Sequence, residues 1–93
     1  ILGGNMTRIV QRAQITDSSV TIKTSAGAFK VLTAHEREGI PTIWYETLEK
    51  PVVPVDVTFT AVLTGDAVPN HSVYVGTAFI DNKASHIYQH PKV

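Results

Sequence analysis

The chain contains no cysteine. Disulfide staples, thiolate metal sites and a cysteine nucleophile are therefore excluded, and a small domain without staples is expected to be made inside the cell. Charge is sparse as well. Asp, Glu, Lys and Arg together make 17% of the residues, and eight basic side chains balance eight acidic ones. Duplex-binding domains carry a basic excess or stripe, because phosphate neutralisation drives their affinity. Nucleic acid is accordingly not an expected partner; Arg8, Arg12, Lys23 and Lys30 give only a mild basic bias that solvated strand faces explain. A net charge of zero gives little protection against self-association, so a homo-oligomer is expected. No apolar run approaches the roughly 18 residues of a membrane span, and no membrane partner is expected. The start Ile1-Leu2-Gly3-Gly4-Asn5 has neither the charged nor the long apolar region of a secretory signal. Met6 reads as the natural initiator, residues 1–5 as an artificial or disordered start, and residues 6–93 as one β domain.

What is present is β-forming. The clearest strand is Val55 to Thr64, where Val55, Val57, Phe59, Ala61 and Leu63 alternate with Asp56, Thr58, Thr60, Val62 and Thr64. Val73 to Asp81 follows, with Val73, Val75 and Phe79 on one face and Tyr74, Gly76, Ala78 and Ile80 on the other. The intervening Gly65-Asp66-Ala67-Val68-Pro69-Asn70-His71 has loop chemistry. Upstream, Phe29 to Glu36 and Pro41 to Leu48 flank Arg37-Glu38-Gly39, a hairpin turn whose glycine is expected at positive φ. In the first of these runs Phe29, Val31 and Thr33 alternate with Lys30, Leu32 and Ala34. Arg8 to Ile15, Val20 to Lys23 and Ser85 to Gln89 supply further short strands, although residues 81–90 also admit a short helix capped by Asp81. Glu49-Lys50-Pro51-Val52-Val53-Pro54 reads as a stiff connector between two halves, since its prolines cannot donate ladder hydrogen bonds. The expectation is an all-β domain: a small antiparallel β-sandwich or partly open barrel of six to seven strands.

Several phrases follow one another along the chain: Ala26-Gly27-Ala28, Gly39-Ile40-Pro41 with Ile43-Trp44, Thr64-Gly65 with Val68-Pro69, Tyr74-Val75-Gly76-Thr77, and His86-Ile87-Tyr88. In this order and spacing the chain resembles an uncharacterised family of small proteins encoded by tailed bacteriophages, over about residues 8 to 89. Gln89 stands where that family often has an acidic residue, and the first strand matches loosely. The resemblance implies a phage protein made in the host bacterial cytoplasm. It brings no assigned activity.

Catalytic and metal chemistry find little to work with. His86 and His90 lie four apart, but on a strand that separation is about 13 Å, too far to share an ion. No metal site and no cofactor are expected. Thr64-Gly65-Asp66 lacks the glycines and lysine of a phosphate loop; its backbone amides leave room for an anion-binding nest. Ser72 beside His71 points to the opposite face of any strand, and no Gly-x-Ser-x-Gly elbow is present. A non-enzymatic protein is expected.

Aromatic residues carry the remaining signal. Trp44 and Tyr45 are adjacent, so one faces in and the other out; a lone tryptophan favours packing, which places Trp44 inside. An outward aromatic can stack a planar ligand or anchor a partner. The candidate binding residues are Trp44, Tyr45, Tyr74, His86 and Tyr88, with Arg37 from the hairpin tip. The function expected is that of a phage accessory factor that binds a host protein or sequesters a small host ligand, such as a nucleotide immune signal. The alternative is a virion-associated structural or decoration module.

Overall fold

A computed structural model describes residues 7–25, 27–50 and 53–90. Residues 1–5, Ala26 of the Ala26-Gly27-Ala28 phrase and Pro51-Val52 of the connector lie outside the described residues. Seven strands follow in order: β1 (Arg8–Gln14), β2 (Ser19–Ser25), β3 (Lys30–Arg37), β4 (Ile40–Leu48), β5 (Pro54–Leu63), β6 (Val73–Ile80) and β7 (Lys83–His90). They form two antiparallel sheets, β1-β4-β3 and β2-β5-β7-β6. The sheets do not close on each other through hydrogen bonds, so the architecture is a sandwich and not a barrel.

Alternation supplies the core. From the four-stranded sheet Val57, Phe59, Ala78 and Ile87 point inward; from the loop after β1 and from β4 come Ile15 and Ile43. Phe59, Val57, Ile43 and Ile87 are fully buried, and each contributes about 1.5–3 kcal/mol relative to an exposed side chain. Phe29 bridges Phe59 and Tyr45, with ring centroids 6.0 and 5.5 Å away. A polar contact crosses between the layers: the Thr24 and Thr47 hydroxyls, both buried, are 2.5 Å apart.

Two-residue turns set the register of both long hairpins. Arg37 pairs with Ile40 across Glu38-Gly39, and both turn residues have positive φ, 57° and 78°. Ile80 pairs with Lys83 across Asp81-Asn82, again with positive φ at both, 51° and 64°. These are the turns whose twist matches that of antiparallel strands. The second removes the helical option for residues 81–90 and starts the last strand at Lys83, two residues earlier than alternation suggests.

Two bulges change which side chains face the core. In β3 the register shifts between Val31 and Thr33, leaving Leu32 as the extra residue. Val31 opposite Tyr45 and Ala34 opposite Ile43 consequently both pack on the core, whereas unbroken alternation separates them. In β6 the shift lies between Tyr74 and Gly76. Gly76 and Ala78 then oppose Ile87 and Ser85 on the inner face, while Tyr74, Thr77 and Phe79 oppose Tyr88, His86 and Ala84 on the outer one. Phe79, read from sequence as a companion of Val75, is 72% exposed. An extra residue reverses the side-chain phase downstream of it.

Candidate binding face

The outer face of the four-stranded sheet is built by cross-strand rows. Ser19 on β2 pairs with Thr60 on β5, Thr60 with Tyr88 on β7, and Tyr88 with Tyr74 on β6. The next row runs Val62, His86 and Thr77, and the row on the other side runs Thr21, Thr58 and His90. Lys23 and Asp56 form an ion pair at 3.2 Å at one end of this face, and no other Asp, Glu, Lys or Arg falls in these rows.

Hydroxyls and imidazoles tie the rows together. Tyr74 Oη and Thr77 Oγ1 are 2.6 Å apart, Thr77 Oγ1 and His86 Nδ1 3.2 Å, and His86 Nε2 and Thr64 Oγ1 3.0 Å. His90 Nε2 reaches Thr60 Oγ1 at 2.9 Å, and Thr21 and Thr58 share a bond at 2.8 Å. A hydroxyl both donates and accepts, so this chain accommodates either tautomer of His86. Tyr74 and Tyr88 meet edge to face, with centroids 5.7 Å apart at 68°, a preferred arrangement for aromatic pairs. The hydrogen bonds restrain the rings of His86 and Tyr74. Among the described residues no carboxylate bonds to His86.

Three of the six candidate residues, Tyr74, His86 and Tyr88, therefore come together. The other three do not join them. Trp44 and Tyr45 sit on β4 in the other sheet, and their facing is the reverse of the expectation. Tyr45 is buried in the core, where desolvation raises its phenol pKa above the ordinary value. Trp44 lies half-buried on the outer surface, stacked on His35 with centroids 4.4 Å apart and 25° between planes. Packing decides this: Val31 and Gln11 flank Tyr45, whereas Arg12 and Thr33 flank Trp44 on the solvent side. Arg37 stays at the β3–β4 turn and pairs with the neighbouring Glu38 at 3.2 Å.

The face also recruits residues that alternation did not single out. Thr77 and Thr64 hold His86, and Phe79 borders an open groove of about 490 Å³ with Leu63, Thr64, Asn82, Lys83 and Ala84. The Asp81-Asn82 turn is the sequence signal that places them, because it fixes the β6–β7 pairing. At the end of the sandwich, a second cleft of about 450 Å³ collects Asp17, Asp66 and Asp81 with Lys83. The Asp66 amide donates to the Leu63 carbonyl at 3.0 Å. With that N–H occupied and three carboxylates nearby, the Thr64-Gly65-Asp66 turn is unsuited to holding an anion.

Fold and face together define a small two-sheet β domain with an ordered aromatic and hydroxyl surface. Residues 6–93 match DUF7352, a domain of unknown function, and the chain belongs to that family. No curated protein and no solved structure matches it.

Proposed function

We propose that this protein is a non-enzymatic accessory factor of phage origin that binds a host protein through the outer face of its four-stranded sheet. The observation that carries the reading is the ordered, nearly charge-free surface formed by Tyr74, Tyr88, His86 and their threonine partners, with Phe79 at its border. Protein interfaces are depleted in charge at their centre and enriched in aromatic residues, and side chains already held in one rotamer lose less entropy on docking. The face is broad and open, which suits another protein surface.

The small-ligand reading draws on a separate observation. The groove beside Phe79 lies within the size range of ligand sites, and the exposed Phe79 ring is placed to stack a base.

Affinity capture from a bacterial host lysate, compared between wild type and Tyr88→Ala, tests the main reading. The expected result is one or a few proteins retained by wild type, lost with Tyr88→Ala and kept with Trp44→Ala on the opposite sheet. Equal retention by all three proteins overturns the assignment to this face. Titration with nucleotides tests the second reading; binding that survives Phe79→Ala rules out the groove.

A further inference from the structure

Each sheet has two edge strands, and the four edges are not alike. On one side of the sandwich β3 and β6 both carry bulges and lie against each other at Ala34 and Gly76. Bulged and mutually covered edges resist pairing with another chain. On the other side β1 and β2 pair without interruption over seven residues each. Thr24 and Ser25, the last two residues of β2, are fully buried, so an incoming strand cannot run along that edge. β1 is different: it pairs only with β4, and all its residues but Ala13 are at least partly exposed.

We infer that β1 is the self-association edge, pairing antiparallel with β1 of a second copy about a two-fold axis through Gln11. The occupant follows from the sequence of the strand. Centred on Gln11, all seven residues find partners: Arg8 faces the second copy's Gln14, Ile9 its Ala13, Val10 its Arg12, and Gln11 its own counterpart. No like charges stand directly opposite. Centring the axis on Val10 sets Arg8 against Arg12, and centring it on Arg12 sets that residue against itself; both are destabilising cross-strand pairs. In the favoured register the aliphatic stem of Arg12 covers Val10, which is 59% exposed in one copy. A two-fold contact of this kind uses the same patch on both subunits, and zero net charge leaves no long-range repulsion to oppose it. The joined sheet has six strands and leaves the outer faces of both four-stranded sheets free. One strand pair covers less area than the about 1,600 Å² of a standard interface, so the dimer is of micromolar affinity or weaker.

The absence of cysteine permits a direct test. In Gln11→Cys, the two introduced thiols face each other across the axis, and directly opposed strand residues have Cα atoms about 4.5–5.5 Å apart, within disulfide reach. Val10→Cys is offset from its counterpart, and Thr33→Cys lies on the covered side. Under mild oxidation Gln11→Cys is expected to form covalent dimers about tenfold faster than either control, through the raised local concentration. Sedimentation of the wild type is expected to show mass rising with concentration, and Gln11→Glu, which opposes two like charges, to remain monomeric. Val10→Cys cross-linking as fast as Gln11→Cys, or a Gln11→Cys rate no higher than that of Thr33→Cys, overturns the proposal. Folding of every variant is checked by circular dichroism.

Discussion

Gly76 on β6 and Ala34 on β3 touch where the two sheets converge: a Cβ built on Gly76 would lie 2.8 Å from Ala34 Cβ and 3.2 Å from its carbonyl oxygen. Gly76 has no positive φ to require glycine. Its role is to let a neighbouring backbone come close. Gly76→Ala is therefore expected to destabilise the fold by about 1–3 kcal/mol, the range for overpacking. Adding Ala34→Gly should recover part of the loss, because the side-chain clash disappears while the carbonyl contact stays. Urea denaturation of the two single variants and the double variant gives the coupling.

Thr24 and Thr47 present the opposite situation, two buried polar groups that satisfy each other across the layers. Thr47→Ala leaves the Thr24 hydroxyl buried without this partner and is expected to cost about 1–3 kcal/mol. Replacing both threonines with valine keeps the volume and removes both hydroxyls. That double variant should lie closer to wild type than Thr47→Ala does. Thermal unfolding ranks them.

Stacking of His35 on Trp44 makes the only tryptophan a reporter. The imidazole covers one face of the indole and shields it from water. His35→Ala uncovers that face, and the Trp44 emission maximum is expected to move to longer wavelength. The shift should be absent in His86→Ala, whose ring lies on the other sheet.

Tyr45 couples stability to alkaline pH. Burial raises its folded-state pKa above the ordinary 10.0 by desolvation. Above that value the unfolded chain loses the phenolic proton first, so the native state binds more protons and stability falls as pH rises. The contribution is complete below about pH 10 and is lost as pH climbs through the folded-state value. Tyr45→Phe should show a shallower alkaline decline in stability, measured by urea denaturation across that range.

Much of this molecule was legible in its residues. Alternation in Val55–Leu63 and the Glu38-Gly39 turn are local signals, and they sufficed for an all-β domain of six to seven strands with Val57 and Phe59 inside; Pro54, read as part of a connector, opens β5 instead and pairs with Ser25. Gly76 stands inside a strand run, and only the folded chain shows that Ala34 is the neighbour approaching it closely. The facing of Trp44 and Tyr45, the exposure of Phe79 and the gathering of Tyr74, Tyr88 and His86 were decided by tertiary structure. Each depends on a bulge or on strands far apart in sequence, and one extra residue in a strand reverses every side chain beyond it. Local sequence sets which segments are strands; the pairing between segments sets which of their two faces meets water.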